Sequence, residues 1–154
     1  ENFYKDKSLD GFANWYHVQV QEEVAHAQLM MQYLQDNDYS VVLEAINKPN
    51  IPLNELRDPL KAGLKHEQYV TELIHTCYAA AYEEKDFRTM QFLDWFVKEQ
   101  GEEEKNVDDI IKKMKLFGSD PKSLYALNQD LLAPIQPPLN NHLGQNDLPG
   151  HPSA

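Results

Sequence analysis

Several residue types that define whole classes of protein are scarce in this chain of 154 residues. Its one cysteine, Cys77, cannot form an internal disulfide, and we expect it to be a small buried hydrophobic residue. No apolar run reaches the roughly 18 residues of a membrane span, and no leader pattern is present, so we expect a cytoplasmic protein with no membrane partner. Only 14 lysines and arginines stand against 25 acidic residues, and the net charge of -11 argues against nucleic acid as a partner.

What the chain does have is long helical patterns with polar residues at positions that normally face a core. Three stripes, at residues 12–33, 60–81 and 93–114, step by four and three residues in turn, which keeps one helix face toward a partner. Carboxylates are almost never fully buried unless they are paired or bind a metal. The polar members of the stripes therefore predict a cation site inside a helix bundle. They are Glu23, His26, Glu67, Gln100 and Glu103.

Two long helices are predicted on either side of a long connection. Ser8 is expected to cap the first of them, residues 9–35. Asp58 followed by Pro59, a cap and then a first-turn proline, predicts the start of a second helix that ends near residue 85. The segment between them, residues 39–57, is long enough to cross the whole bundle, which favours a parallel arrangement of the two helices.

Two further helices are predicted before the composition changes. Asp86 opens a third helix to Phe117 after almost no loop, so the second and third helices should be antiparallel neighbours. Asp120 opens a short helix, residues 122–132, which we expect to contribute to subunit contacts. Five of the nine prolines lie in the last 21 residues, which predicts a helical domain of residues 1–132 and an extended or disordered tail of residues 133–154.

The chemistry of the predicted site depends on the segment Glu23-Val24-Ala25-His26. Residues three apart share one helix face, so a carboxylate and an imidazole can bind the same ion or two neighbouring ions. Such a pair is common by chance on solvated faces, but here both residues fall in a stripe, and Glu67 lies at the matching level of the second helix. Oxygen ligands with a single imidazole favour iron or manganese over a thiolate-type zinc site.

Three segments of the chain resemble the prokaryotic non-haem ferritins. They are QEEVAH at residues 21–26, KHEQ at 65–68 and WFVKEQGEEEK at 95–105, within a match of about residues 3–131. The resemblance implies an all-α, ferritin-like four-helix bundle with a long crossover and a short fifth helix. It also implies a homo-oligomeric, hollow 24-subunit cage that oxidises Fe(II) with dioxygen or peroxide and stores a ferric mineral.

The resemblance also assigns roles by position. Glu23 resembles the carboxylate that bridges two irons, and His26 resembles the imidazole at the first iron. Glu67 resembles a ligand of the second iron, with Gln100 as the glutamine beside it. A third, neighbouring iron site is implied for an acidic set, which consists of Glu22, Glu99, Glu102 and Glu103. Bacterioferritins hold haem through a methionine directly after the glutamate that Glu23 matches; the residue here is Val24, so no haem is expected.

The first helix of the family is expected to be largely absent from this chain. That helix supplies another carboxylate ligand and a nearby tyrosine, and this sequence starts at Glu1 in what resembles its last turns. Three explanations of the missing helix remain open: the sequence is a fragment, the chain has been trimmed, or another chain supplies the first helix. Without that helix, the stripes would face an uncovered apolar seam.

Two alternatives to a storage ferroxidase follow from these departures. A di-iron peroxidase or oxidase of the rubrerythrin type would generally carry a second Glu-x-x-His on the last long helix, where this chain has Glu99 and Glu102. That alternative is the less favoured one for this reason. The other is a subunit that assembles but whose iron centre is incomplete, because one ligand is missing.

Overall fold

The computed structural model describes residues 1–132, and these residues form five helices and no strand. The helices are α1 (Asn2–Lys5), α2 (Asp10–Asp36), α3 (Asp58–Glu83), α4 (Phe87–Phe117) and α5 (Pro121–Asp130). Residues 39–54 form a long connection without helix or strand. The all-helical fold class and the short last helix are therefore confirmed. The predicted tail, residues 133–154, lies outside the described residues.

The helices α2 and α3 run in the same direction, and α4 is antiparallel to both. Near the start of α2 and α3, the Tyr16 hydroxyl lies 3.4 Å from where a Cβ on Gly63 would stand. At the opposite end, the ring of Tyr33 stacks on Phe92 with 4.0 Å between centroids, which places the end of α2 beside the start of α4. The connection between α2 and α3 therefore crosses the length of the bundle, as its sequence predicts.

An apolar core closes the end of the bundle where α1, the start of α2 and α5 meet. The stacked rings of Tyr4 and Phe12, 5.1 Å apart, lie at its centre, and the Tyr4 hydroxyl donates to the Leu56 carbonyl at 2.7 Å. Full burial of one large apolar side chain stabilises a fold by about 1.5–3 kcal/mol. We call this cluster the end layer. Its buried members are Tyr4, Phe12, Ala13, Trp15, Leu60, Val107, Ile110, Met114 and Leu127.

The start of α2 is capped by a residue of α5. Ser8 was predicted as the cap, but its backbone is left-handed with a φ of 55°, and the N-cap position falls to Leu9, which has no capping side chain. Instead, Oδ1 of Asn128 accepts hydrogen bonds from the amides of Gly11 at 2.9 Å and Phe12 at 3.3 Å. A Cβ on Gly11 would lie 1.7 Å from the Asn128 carbonyl oxygen, so this close approach requires glycine.

Of the three other start signals, two act as the sequence predicts and one does not. Asp86 and Asp120 each accept a hydrogen bond from the backbone amide three residues later, which caps α4 and α5. The Asp58 carboxylate instead accepts from the amides of Asn54 and Glu55, at 2.9 and 2.8 Å, which precede α3. Asp58 therefore fixes the end of the long connection rather than capping the helix that follows it.

The surface of α3 corrects the expectation for the cysteine. Cys77 is exposed, because it lies outside the stripe whose neighbouring members are Ile74 and Tyr78. Ile74 is buried in the bundle, whereas the side of α3 that carries Cys77 faces outward. Among residues 1–132, no helix combines the length and the apolar character that a membrane span needs.

Candidate metal centre

Half-way along the bundle, polar side chains of α2 and α4 are buried beside a second apolar cluster. That cluster consists of Ile74, Leu93 and Phe96. Burying polar groups of this kind is costly unless they gain partners. We call the region the middle layer. Its buried polar members are His26, Glu99, Gln100 and Glu103.

His26 is oriented by aromatic rings of α4 and by a carboxylate of its own helix. Trp95 and Phe96 contact the imidazole edge to face, with centroids 5.4 and 6.0 Å away. Nδ1 of His26 lies 3.9 Å from the Glu23 carboxylate, and this carboxylate raises the pKa of His26. Trp95 was not among the predicted site residues, and its only sequence signal is its place beside Phe96 in the third stripe.

His26, Glu99 and Glu103 converge on one point. One ligand atom from each lies within 4.8 Å of those of the other two. Atoms bound on opposite sides of one ion lie about 4 Å apart for metal–ligand bonds of about 2.1 Å, so small side-chain movements bring all three to one cation. Oε2 of Glu103 is buried and finds no hydrogen-bond partner within residues 1–132. Because buried oxygens without partners are rare in folded proteins, this atom indicates a cation ligand.

The carboxylates of the middle layer repel one another. Burial, followed by the charges of Glu22 and Glu67, raises the pKa of Glu103 to about 7. Burial is also the first cause that raises the pKa of Glu22, Glu67 and Glu99 above their usual range. A bound cation lowers these pKa values, because it favours the charged form of each ligand.

Glu23 and Glu67 face the gap between the parallel helices α2 and α3. The Glu23 side chain is 53% exposed and Glu67 is half-buried, so the expectation that both point into a closed interior is corrected. The physical reason is that this side of α2 is open within residues 1–132, where Val20, one turn before Glu23, is also 54% exposed. The two carboxylates still interact across the gap, because burial and then the charge of Glu23 raise the pKa of Glu67.

Gln100 connects α4 to α3 directly beside Glu67. Its Nε2 donates to the backbone carbonyl of Glu67 at 3.2 Å and contacts the carboxylate Oε2 at 3.4 Å. One turn further along α3, the Thr71 hydroxyl donates to the carboxylate of Glu104 at 2.6 Å. These bonds fix the distance between the two helices at the level of Glu67.

The acidic set predicted for a third ion divides into two parts. Glu22 accepts a short hydrogen bond from Gln19, and its pKa is raised first by burial and also by the charge of Glu99, a member of the converging group. Glu102 instead lies on an exposed face and pairs with Lys98 at 3.4 Å. Glu22, Glu99 and Glu103 therefore lie around His26, whereas Glu102 lies apart from them.

Comparisons with known proteins agree with this architecture. The family model described as a ferritin-like domain matches residues 1–117. A bacterial non-heme ferritin of Staphylococcus epidermidis is 34% identical over 131 residues, which cover 84% of this chain and 79% of the relative. The bacterial non-heme ferritin of Campylobacter jejuni is 34% identical over 124 residues, with coverage of 80% and 74%.

Solved structures show the same fold. The open-pore ferritin of the archaeon Archaeoglobus fulgidus superposes with a TM-score of 0.83 at 35% identity, over 87% of this chain and 83% of that one. A structure described as a humanized archaeal ferritin gives a TM-score of 0.85 at 35% identity, over 89% and 83%. The predicted likeness to prokaryotic non-haem ferritins is confirmed.

Proposed function

This chain belongs to the family of ferritin-like domains, and on that premise we propose that it binds ferrous iron, oxidises it and stores the ferric product. The observation that carries the proposal is the convergence of His26, Glu99 and Glu103 within 4.8 Å in the middle of the bundle. A buried carboxylate oxygen without a partner in residues 1–132 lies in this group, and a cation supplies the missing partner.

We assign the ligands by combining position with geometry. Glu23 bridges two irons, His26 binds the first iron, and Glu67 binds the second iron. Support comes from the Glu23 carboxylate, which lies 3.9 Å from His26 and raises the pKa of Glu67. Gln100 lies beside the second iron, because its amide already contacts Glu67. Glu99 and Glu103, together with Glu22, hold a neighbouring third iron, and the convergence of Glu99 and Glu103 with His26 within 4.8 Å means that this ion and the first iron are bound side by side.

The reaction is the transfer of one electron from each of two ferrous ions to one oxidant. With dioxygen, two electrons and two protons give hydrogen peroxide, and with peroxide as oxidant, two electrons and two protons give water. The protein supplies coordination and negative charge, which favour the ferric products over the ferrous substrates. The clustered carboxylates provide that charge at the point where the irons bind.

Storage requires an enclosed volume much larger than the interior of one bundle, so the proposal includes self-assembly. We propose a homo-oligomeric cage, of 24 subunits as the family resemblance implies, into which the ferric product moves. The matched proteins named as ferritins support a ferritin-type assembly of this chain.

Ferroxidase activity is tested with two glutamates of the same helix. Glu67 contacts Gln100 in the site, whereas Glu72 lies on the exposed surface of α3. Ferrous iron is added in air, and ferric absorbance is followed with time. We expect Glu67→Ala and Glu23→Ala to slow the reaction by about tenfold or more, since each removes a direct ligand. Glu72→Ala is expected to react like the unaltered protein, and equal rates in all four proteins would overturn the proposal.

A further inference from the structure

The hydroxyl of Tyr16 lies buried at the border between the end layer and the middle layer. The ring is packed against Tyr4, with centroids 5.7 Å apart, and against Trp15, at 4.9 Å. The hydroxyl oxygen is buried and has no hydrogen-bond partner within residues 1–132. Buried tyrosine hydroxyls usually find a partner, so the ring alone does not explain why tyrosine rather than phenylalanine stands here.

The position of this hydroxyl against α3 points to one carboxylate of that helix. The Tyr16 oxygen lies 3.4 Å from the position of a Cβ on Gly63, which places it against α3. Glu67 follows Gly63 by four residues and therefore lies on the same face of α3, one turn further along. Side chains of a helix lean toward its N-terminus, so the Glu67 side chain extends over the turn that contains Gly63 and toward the Tyr16 hydroxyl.

The neighbours of Glu67 leave room for one more donor. Gln100 approaches one carboxylate oxygen of Glu67, Oε2, at 3.4 Å, and a metal ion takes up one lone pair of a carboxylate that can accept several hydrogen bonds. Gly63 has no side chain, so this position of α3 places no side-chain atom beside the Tyr16 hydroxyl. Carboxylate ligands of metals are typically hydrogen-bonded by a further protein group that fixes their orientation.

We propose that Tyr16 is a positioning residue for the metal ligand Glu67, and that its hydroxyl donates a hydrogen bond to the Glu67 carboxylate when that carboxylate binds a cation. The inference rests on the proposed function, because it takes Glu67 to be a ligand. It goes beyond it by giving a role to a residue that lies two turns before Glu23 on α2, outside the ligand set. Without metal, the hydroxyl is a buried donor for which residues 1–132 provide no acceptor, and the metal-bound arrangement provides that acceptor.

The experiment compares two tyrosines of α2 that differ in what their hydroxyls contact. Tyr33 donates to or accepts from the Thr89 hydroxyl at 2.7 Å, far along the helix from Glu67. Tyr16→Phe and Tyr33→Phe are titrated with Co(II) in the absence of air, and both the affinity and the visible absorption spectrum of the bound Co(II) are recorded. Each protein is also unfolded thermally without metal.

The two variants are expected to give opposite patterns. Tyr16→Phe should lower the affinity for the Co(II) ion that Glu67 binds by about tenfold and alter the absorption spectrum of that ion. The reason is that Glu67 loses the hydrogen-bond donor that orients its carboxylate. Its metal-free unfolding temperature should stay the same or rise, since a buried donor without an acceptor is removed. Tyr33→Phe should lower the unfolding temperature and leave Co(II) binding unchanged. A tyrosine with a merely structural role would lose stability on substitution and keep its metal affinity.

A Glu67→Ala background separates failure of this inference from failure of the proposed function. If Tyr16 acts through Glu67, adding Tyr16→Phe to Glu67→Ala has no further effect on Co(II) binding. Unchanged Co(II) affinity in Tyr16→Phe, or a further loss in the double variant, overturns the role of Tyr16 and leaves the site intact. If Glu67→Ala alone binds Co(II) as the unaltered protein does, Glu67 is not a ligand, and the proposed function and this inference both fail.

Discussion

The end layer and the middle layer belong to the same bundle but treat their buried polar atoms in opposite ways. In the end layer, the Tyr4 hydroxyl donates to the Leu56 carbonyl, and Asn128 accepts from two amides of α2. In the middle layer, Oε2 of Glu103 is buried without a partner in residues 1–132, and burial, followed by the charges of neighbouring carboxylates, raises its pKa. These polar atoms of the end layer are satisfied within residues 1–132, whereas the carboxylates of the middle layer are balanced only with a bound cation.

This difference assigns separate tasks to the two regions. Apolar burial and satisfied hydrogen bonds in the end layer stabilise the fold whether or not metal is present. Clustered carboxylates in the middle layer repel one another and destabilise the metal-free fold. A bound cation removes this repulsion and stabilises the folded state. Substitutions in the end layer should therefore change stability with or without metal, and substitutions in the middle layer should change stability in opposite directions with and without it.

The largest effect is expected from a side chain at Gly11. In Gly11→Ala, the new Cβ would stand 1.7 Å from the Asn128 carbonyl oxygen, so α5 has to move away from α2 and both cap bonds are lost. We expect the free energy of unfolding to fall by more than about 3 kcal/mol, in the range of severe backbone clashes. Chemical unfolding with and without metal measures it, and a loss that appears only in the metal-free protein would contradict the assignment to the end layer.

Neutralising the middle layer should have the next largest effect, and its sign depends on pH. The pKa of Glu103 is raised from 4.5 to about 7, so the folded state holds this proton more tightly than the unfolded state. Stability of the metal-free protein therefore falls as pH rises from 4.5 to about 7 and stays low above that value. Glu103→Gln should remove this dependence and stabilise the metal-free protein above about pH 7 by on the order of 2 kcal/mol.

The same variant should bind cations more weakly, because an amide oxygen carries no charge. Its unfolding is measured against pH in the presence of a chelator, and Co(II) affinity is measured separately near neutral pH. If Glu103→Gln is less stable than the unaltered protein above about pH 7, the prediction is wrong. That result would show that the ionised Glu103 side chain stabilises the metal-free fold.

Removing the cap of α2 should cost less than the clash at Gly11. Asn128→Ala deletes the acceptor of the Gly11 and Phe12 amides but leaves the backbone contact in place. We expect a loss of about 1 kcal/mol, the usual cost of losing a helix cap, without a change in Co(II) affinity. Asn128→Asp keeps an acceptor at this position and serves as the conservative control.

The smallest expected effect is a gain at Gly101. No atom of the described part of the chain lies within 4 Å of a Cβ placed there, and the residue lies inside α4 next to the buried Gln100. Gly101→Ala should stabilise the metal-free protein by about 0.5–1 kcal/mol, since alanine favours the helix over glycine. Unchanged or lower stability would show that the glycine supports a backbone distortion in α4.

Features that depend on nearby residues could be predicted from the sequence. Asp86 and Asp120 cap helices through amides three residues away, and α4 ends at Phe117 as predicted. The prediction that Ser8 caps α2 is wrong because the capping side chain, Asn128, comes from a distant helix, and no local pattern reveals such a pair. The stripes predict that His26 faces the polar side chains of α4. The exposure of Glu23 depends on which side of α2 is covered, and helical periodicity alone does not contain that information.

The bond between Gly11 and Asn128 also determines the order in which the chain can fold during synthesis. The two residues are 117 positions apart, so the first turn of α2 remains without its cap until α5 has been made. Helix ends without partners fray, and chains are synthesised from the N-terminus. The helices α2, α3 and α4, which carry every proposed iron ligand, are thus synthesised before this end of the bundle can close.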